Sequence, residues 1–522
     1  MFKQTLAILL ILSFIFLASS FAQEKTKSLS LEECILGALK NNLGVAVQVL
    51  NPEIADLSVS RAQEKFVPSL SFGYNKTNNN SASYSWIDAA ESVITKYNDY
   101  SVQVSQLIPT GGSFSLSLDN YKNDSNRSFQ TINPRYGSTL RFNFTQPLLK
   151  DFGFKTSRRE IIIARNNLQI SESQFEKTLL DTIYNVEEAY WNLVYSIQDL
   201  EVRRQSLKLA QDFLEKNQRS VEVGTLAPIE ILSAQAEVAT READILQAEA
   251  LVKSNEDRLK MIINLPQEEG KPNQGIAPVD KPSFEEKEVN LEQSLAVAME
   301  NRPDLQASRI GLKNYELDLS YARNQLLPGL NLTASYWSPG LSGDRILYEN
   351  DNPLTGKVIG IISSGASNAI KDAFNFKYRN WAIGLTLDLP MSNVFTRAAL
   401  AQAKVNMEQA LLNFKNQEQQ VYLEIKDAVR AVQTDFKRVS AYKVARDLAE
   451  KKLQAAEEKL KVGLSTNFEV LSYQRDVATA RTSELKAIID YNLSLASLDR
   501  ALGTTLKAKN MKVTDFLKGS SL

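Results

Sequence analysis

The chain of 522 residues contains no histidine and a single cysteine. Histidine is the commonest general base and zinc ligand, so its absence excludes Ser-His-Asp and Cys-His catalytic sites. One cysteine excludes an intramolecular disulfide and a CxxC metal or redox site. The 60 lysines and arginines nearly balance the 61 aspartates and glutamates. Without a global basic field, nucleic acid is not an expected partner.

The first 22 residues have the pattern of an export signal. Lys3 precedes an apolar run from Leu6 to Leu17, and small residues at Ser20 and Ala22 predict cleavage after Ala22. The run is too short for a membrane anchor, which needs about 20 residues. No later segment has 18 consecutive apolar residues. We therefore expect an exported protein that contacts a membrane only as a β-barrel or from its surface.

The rest of the chain contains the same unit twice. Several residues recur 260 positions later: Leu31, Ala38, Asn41, Leu57 and Ser60 return as Leu291, Ala298, Asn301, Leu317 and Ser320. Further along, the offset is 239: Arg158, Ala164, Asn167, Val223, Gly224 and Glu230 return as Arg397, Ala403, Asn406, Val462, Gly463 and Glu469. A repeat of this length indicates a duplicated domain rather than a solenoid.

This duplication divides the chain into five parts. They are a signal peptide (1–22), a first repeat (23–265), a linker (266–290), a second repeat (291–506) and a C-terminal tail (507–522). The linker is rich in proline and charged residues. Each repeat is expected to begin with a helix, on which Cys34 is a small buried residue in the first copy.

A long helical hairpin is predicted in each repeat, at 158–265 and 397–503. We call the long first helix of each hairpin a rod. Apolar residues recur at coiled-coil spacing along the first rod: Leu179, Ile183, Val186, Tyr190, Leu193, Ile197, Leu200, Leu207, Leu214 and Val221. The second rod has Tyr422, Ile425, Val429, Val432 and Phe436 at the same kind of spacing. Each rod would extend about 100 Å and ends at a glycine, Gly224 or Gly463, typical of a helix C-terminus.

Between helix and rod the apolar period changes to two, which predicts β-strands. They fall within about 68–147 in the first repeat and at about 328–337 and 380–389 in the second. Segments of about ten residues with one apolar and one polar face suit membrane strands. A soluble antiparallel sheet is the alternative. An extra hairpin is expected around 101–120, and a short helix at 365–374.

The strand pattern also predicts an oligomer. Two strands per repeat give four per chain, and four strands cannot close a barrel, whose smallest membrane form has about eight. An open edge in lipid would leave backbone groups unpaired. The expected fold is an α+β membrane protein with duplicated helical hairpins and β-barrel strands shared between chains.

The sequence resembles the TolC family of outer-membrane efflux channels. The likeness runs from Leu31 to about Leu506 and is strongest in two segments, VGTLAPIEILSAQ from Val223 and VGLSTNFEVLSYQ from Val462. QPLLKDFG from Gln146 and LDLPMSNVFTRAALAQA from Leu387 lead into the two rods. The order and repetition of these motifs are more specific than any one of them.

The resemblance implies a homotrimer in the outer membrane with a long periplasmic extension. Each protomer would give four strands to a shared twelve-stranded barrel, and the rods would form an α-helical tunnel. The tips would meet a periplasmic adaptor (membrane fusion) protein and an inner-membrane transporter that supplies the energy. Such channels catalyse nothing, so no catalytic residue, cofactor or metal ligand is expected.

Two acidic residues and two turns are the candidate functional residues. The resemblance implies that Glu469 belongs to an acidic ring at the periplasmic entrance, which would favour cations. It places Glu230 in a closing network whose usual arginine partner position is Ser465 here. Both acids are also explained as helix N-terminal residues favoured by the helix dipole. Val223-Gly224 and Val462-Gly463 mark the tips, the expected adaptor contact.

Two other functions remain open from the residues alone. A periplasmic coiled-coil adaptor would share the rods but have no lipid-facing strands in both repeats. An exported hydrolase with paired carboxylates would need acids that converge, whereas the acids here lie along long helices with solvated faces.

Overall fold

The computed structural model of the chain describes residues 26–88, 91–264 and 275–517. The expected signal peptide at 1–22 lies outside these residues, as does the start of the expected linker. In the described ranges, no helix has both the length and the apolar character needed to cross a membrane.

The chain folds into two compact units. The helical unit comprises the chain up to Glu53, Ile170–Ser308 and the chain from Phe414 onward. The sheet unit comprises Ile54–Gln169 and Arg309–Asn413. Both repeats contribute to each unit, so the compact units do not follow the repeat boundaries read from the sequence.

Two very long helices dominate the secondary structure. The helices in chain order are α1 Leu31–Asn41, α2 Leu43–Glu64, α3 Phe154–Ser157, α4 Arg159–Glu222, α5 Ile229–Ile263, α6 Leu291–Asn301, α7 Pro303–Asn324, α8 Ala366–Phe374, α9 Val394–Lys461, α10 Asn467–Leu502, α11 Thr505–Ala508 and α12 Val513–Leu517. Helices α4 and α9 contain 64 and 68 residues. Each is followed by a shorter returning helix, and α8 forms where a short helix was expected.

Both repeats begin with a side-chain cap on a helix N-terminus. Ser30 Oγ accepts a hydrogen bond from the Glu33 amide at 3.2 Å, and the Glu33 carboxylate accepts one from the Ser30 amide at 2.8 Å. This capping box satisfies two backbone donors that the helix itself cannot. Asn290, 260 positions after Ser30, caps α6 without a reciprocal bond, by accepting from the Glu292 amide at 2.8 Å and the Gln293 amide at 3.4 Å. The two copies therefore start their first helix by related chemistry.

Two of the buried apolar clusters in the helical unit are each centred on the long helix of one repeat. The first combines α1, α4 and α5, and Leu179, Ile183 and Leu193 of the predicted seam are fully buried in it. Cys34 lies in the same cluster with no exposed surface, as expected. The second cluster holds Ile425, Val429 and Val432 of α9 with residues of α6 and α10. Tyr422, placed on this seam from the sequence, is half exposed, whereas its neighbour Val421 is buried in the cluster.

The described part of the linker is packed onto the helices. Strand β1 (Lys27–Leu29) pairs in parallel with Ile276–Pro278, in the register Lys27 with Ile276. The Tyr190 hydroxyl donates to Asp280 Oδ2 at 2.7 Å, and the Tyr491 hydroxyl donates to the Glu285 carbonyl at 2.6 Å. Residues 275–290 are therefore fixed at several points along their length.

The sheet unit contains an antiparallel sheet with strands from both repeats. The strands after β1 are β2 Ser69–Ala82, β3 Ser92–Leu107, β4 Ser113–Ser125, β5 Ile132–Pro147, β6 Ile276–Pro278, β7 Gly329–Tyr348, β8 Val358–Ile362 and β9 Asn380–Asp388. The sheet order is β2-β3-β4-β5-β7-β8, and β9 pairs with another part of β7. The β5–β7 ladder, with Phe142 opposite Tyr336, joins the two repeats.

The expected count of four strands per chain is wrong. Among the described residues the sheet has seven strands, four from the first repeat and three from the second. The extra hairpin expected around 101–120 is formed by β3 and β4, which are hydrogen-bonded into the sheet. β8 is a five-residue strand inside the segment read as a loop, too short for a period-two pattern to stand out.

The β3–β4 turn requires a glycine at position 111. Gly111 has φ +97°, a conformation that residues with a side chain rarely adopt. A Cβ there would also lie 2.2 Å from the Asp151 carbonyl oxygen.

The sheet ends on one side at β2, where every residue is exposed, and on the other at β9, which is also largely exposed. Within the described chain no strand pairs with the outer edge of β2.

Candidate functional site at the helical hairpin tips

The two rods end in the same backbone turn. Gly224 and Gly463 have φ values of 75° and 76°, in the left-handed region. The Thr225 amide donates to the Ser220 carbonyl at 2.9 Å, and the Leu464 amide donates to the Lys459 carbonyl at 2.9 Å. This six-residue closure satisfies carbonyls at the helix end. A Cβ at either glycine would meet nothing within 4 Å, so these glycines serve the backbone conformation and not a close contact.

Glu469 is tied into the N-terminus of α10. The Glu469 amide donates to Thr466 Oγ1 at 3.2 Å, and the Thr466 amide donates to Glu469 Oε2 at 3.2 Å. The Ser465 hydroxyl also donates to Glu469 Oε2, at 2.6 Å. The bonds from Ser465 and Thr466 hold the pKa of Glu469 below its ordinary value. Glu469 therefore has the contacts of a helix-capping residue. Its membership of an acidic ring at the periplasmic entrance stays a prediction.

Glu230 contacts the tip of the other repeat. It lies in the first turn of α5, which begins after Pro228 without a side-chain cap. Asn467 Nδ2, in the first turn of α10, donates to Glu230 Oε2 at 3.3 Å. The sequence pointed to Ser465 as the position of its partner, but Ser465 binds Glu469. Asn467 was missed because the repeat alignment gives no sign that the first residue of α10 faces α5.

Exposed apolar side chains surround both turns. We call them the tip patch: Val223, Ile229, Leu232, Val462, Leu464 and Phe468. Phe468 and Leu464, the most exposed of the six, are 78% and 77% exposed. A buried cluster that includes Phe213, Ala234, Ala456 and Leu471 packs the four helices together. Ile229, Leu232 and Phe468 therefore lie on helices that this cluster holds together, and Val223, Val462 and Leu464 lie in the short turns between those helices.

A charge cluster around the buried side chains of Glu237 and Arg241, which the sequence analysis missed, also links the repeats through the exposed Arg475. Glu237 forms ion pairs with Arg475 and, at 3.0 Å, with Arg241. Arg241 Nη1 donates to the Ser206 carbonyl at 3.0 Å. Burial alone would raise the pKa of Glu237, but the hydrogen bond from Arg475 and the two arginine charges outweigh it and lower the pKa. The cluster lines a cavity of about 480 Å³ between α4, α5 and α10.

Charge spacing on α5 could have indicated part of this cluster. Glu237 and Arg241 are four residues apart, the spacing of a helical ion pair, but their burial depends on α4 and α10. In the part of the chain that the structure describes, no group of three or more acidic or cysteine side chains is placed to hold a metal ion.

Comparison with known proteins assigns the family. The model of the outer membrane efflux protein family matches residues 35–265 and 295–504, both repeats of the chain. The chain belongs to this family. The family consists of channel proteins rather than enzymes. The predictions of family, outer-membrane location and a role in efflux are confirmed, and neither the adaptor nor the hydrolase alternative is supported.

Individual relatives cover most of the chain. It is similar to outer membrane protein TolC of Vibrio cholerae, with 25% identity over 75% of this chain and 83% of that protein. It is also similar to the alkaline protease secretion protein AprF of Pseudomonas aeruginosa, with 22% identity over 70% and 68%. Among solved structures, the Campylobacter jejuni CmeC outer membrane channel has a TM-score of 0.62 and 17% identity, covering 96% of this chain and 94% of that one.

Proposed function

We propose that the chain forms a homotrimeric channel, the exit duct of a tripartite efflux or type I secretion system. The observation that carries this proposal is the sheet, which in one chain ends at the exposed strands β2 and β9. Sheet edges leave backbone groups unpaired, which is costly in lipid. Pairing β9 of one subunit with β2 of the next would satisfy them and close a barrel across three subunits.

The trimer is tested on protein extracted from outer membranes. In detergent, unheated samples are expected to migrate as trimers on denaturing gels, and heated samples as monomers. A chain that stays monomeric in the same extract contradicts the proposal. The chain would carry out no catalysis of its own, and transport energy would come from an inner-membrane transporter.

The tip patch is the proposed contact with a periplasmic adaptor. Its apolar residues, including Val223 and Val462 beside Gly224 and Gly463, are exposed at the ends of the two hairpins, and exposed apolar patches mark protein contacts. Charge reversals beside the turns, Glu222→Lys with Lys461→Glu, should abolish efflux in cells while leaving trimers intact. The matched reversals Glu201→Lys with Lys451→Glu, on exposed positions away from the turns, should leave efflux unchanged. Efflux preserved in the tip variant would contradict the docking site.

We further propose that Glu469 and Glu230 act at the periplasmic entrance. Three symmetry-related copies of Glu469 would concentrate cations and hinder anions. Its position in the first turn of α10, close to the tip turn at Gly463, supports this role. Glu230 would hold the two tips of one chain together through Asn467.

The names of the relatives suggest two classes of cargo. AprF is named for protease secretion, so one candidate cargo is a protein, and the family is described by efflux, so the other candidate is a small molecule. Transport assays in cells that lack their own channel, with a dye and a secreted protease as reporters, separate the two.

A further inference from the structure

The β3–β4 hairpin crosses the whole height of the sheet. Every residue of β2, from Ser69 to Ala82, is paired with a residue of β3. The turn between β3 and β4 lies at the end of the sheet where the chain enters the first rod, because the Gly153 amide donates to the Thr110 carbonyl at 3.0 Å. The hairpin therefore does not project from the opposite end of the sheet.

The hairpin also continues both faces of the sheet. Directly paired residues point to the same face, and successive residues along a strand point to opposite faces. One row of paired residues is apolar on all four strands of the first repeat: Phe72, Val102, Leu118 and Leu140. The adjacent row is polar: Ser71, Gln103, Ser117 and Arg141. The apolar face therefore runs through β3 and β4 without a break.

The same apolar face continues into the second repeat. Phe142 lies opposite Tyr336, which lies opposite Trp381 of β9. Within the described chain this face is exposed, with Phe72 at 75% and Leu116 at 43%. Six of the seven strands carry it, all except the five-residue β8. An exposed apolar face opposite a polar one is the pattern of membrane strands.

We call this face the apolar belt; it runs from Leu70 to Tyr74 on β2 and from Leu387 to Trp381 on β9. The belt ends in the same way on both strands. Lys76 stands two residues beyond Tyr74, and Arg379 stands two residues before Trp381. Aromatic residues favour the membrane–water interface, and a cation beyond them reaches the polar head groups. Both edge strands therefore have a membrane boundary, as closure into one barrel requires.

The belt also gives the tilt of the strands. Followed through the paired residues, Trp381 lies in the same row as Leu70, four residues from Tyr74. The boundary therefore shifts by about 13 Å along the strands over five strand spacings of about 4.8 Å each. This slope corresponds to a tilt of about 30°, near that of membrane barrels.

We propose that three chains form an eighteen-stranded barrel, with the β3–β4 hairpin of each chain inside the barrel wall. Six belt strands in each of three subunits give this number, whereas the family resemblance implies twelve. The inference rests on the proposed homotrimer and concerns the width of its outer opening. At this spacing and tilt, eighteen strands enclose a diameter of about 32 Å and twelve about 21 Å. The cross-section would be about twofold larger, which raises the size of cargo that the outer end can pass.

The first test places nitroxide spin labels on β4 in full-length trimers reconstituted into lipid bilayers. The label at Leu116→Cys should collide mainly with dissolved oxygen, which concentrates in lipid, and the label at Ser115→Cys mainly with a water-soluble nickel chelate. The matched controls are Phe142→Cys and Asn143→Cys, in the same two rows on β5. Cys34 has no exposed surface and takes no label. Nickel collisions at both β4 positions would place the hairpin outside the barrel wall and overturn the inference.

The second test measures the barrel width between equivalent positions of the three subunits. Labels at Ala334→Cys and Ser335→Cys on β7 point to opposite faces, so the mean of their two distances cancels the label linkers. Pulsed dipolar spectroscopy should give a mean of about 28 Å for eighteen strands and about 18 Å for twelve. A mean near the smaller value in a trimer overturns the inference while the proposed channel stands. If the native chain forms no trimer, the proposed function itself fails.

A shortened chain gives a third readout. Removing residues 92–125, which hold β3 and β4, leaves β2 beside β5. Leu70 and Phe142 share a row, so β2 and β5 can pair with both faces kept. The mean distance in the shortened trimer should fall by about 10 Å. An unchanged distance in that trimer contradicts the placement of the hairpin in the wall, and the native distance decides the strand number by itself.

Discussion

Asn467 donates a hydrogen bond to Glu230 across 3.3 Å, joining the first turn of α10 to the first turn of α5. Asn467 is buried, so water competes little for this bond. A hydrogen bond to a charged group contributes about 1.5–3 kcal/mol. The two tips of one chain are therefore linked by a neutral donor on a carboxylate, a contact that can be weakened by changing one residue.

Replacing that donor should loosen the tips. Asn467→Asp puts a second carboxylate against Glu230, so the bond is lost and like charges repel. We expect a larger single-channel conductance for the trimer in planar lipid bilayers. The control Asn416→Asp adds the same charge at an exposed position on α9 and should leave conductance unchanged. Equal conductance in all three proteins would show that this contact does not restrict the entrance.

The charge of Glu469 should set ion selectivity. Glu469→Gln should reduce cation preference at neutral pH, as measured by reversal potentials across a salt gradient. Because the pKa of Glu469 is held below 4.5, the native channel should keep its preference as the pH falls past that value. Ser465→Ala removes the hydrogen bond that lowers this pKa most, so its selectivity should be lost at a higher pH. Ser472→Ala, on the same helix, is the control, and selectivity unaffected by Glu469→Gln would rule out the ring.

The tip glycines should be intolerant of a side chain. Gly224→Ala or Gly463→Ala forces a left-handed conformation that costs about 1–2 kcal/mol, although neither Cβ would clash. The melting temperature of each variant should fall. Gly311→Ala is the matched control, because Gly311 lies inside α7 with open space at its Cβ and alanine favours helix by about 1 kcal/mol. A stable Gly224→Ala variant would contradict the turn geometry.

The ion pairs of the buried Glu237 carboxylate with Arg241 and Arg475 should make stability depend on pH. Its pKa is lower in the folded chain than in the unfolded chain. Its contribution is therefore present above the unfolded value and is lost as the pH falls through the folded value. Glu237→Gln should lower the denaturation midpoint at pH 7, and the difference from the native protein should shrink in acid. Glu242→Gln, exposed on the same helix, should show no such change. A pH-independent difference would mean that Glu237 acts through packing alone.

Periodicity in the sequence predicted the elements that depend on local pattern. The seam at Leu179 and Ile183 and the turns at Gly224 and Gly463 follow from spacing and from the left-handed preference of glycine. Because the chain is duplicated, the positions of the elements in the first repeat also predicted the positions of their counterparts in the second repeat. These features depend on residues close in sequence, where the same rules apply in any fold.

Contacts between distant segments were not predictable in the same way. Nothing near Glu237 in the sequence indicates Arg475, which lies 238 positions away. The strand count failed because β8 has only five residues and because the β3–β4 hairpin, although visible in the sequence, was not assigned to the sheet. Tyr422 fits the heptad spacing yet is half exposed, since a seam specifies a face of the helix but not how far the partner helix covers it.

The most direct test of the channel is conductance measured on the purified oligomer. Protein extracted from outer membranes is separated into trimer and monomer fractions, and each is added to a planar lipid bilayer. A trimer fraction that gives discrete, uniform conductance steps, with none from the monomer, is the predicted result. A stable trimer that inserts but conducts no ions, even with Asn467→Asp at its tips, would contradict the account.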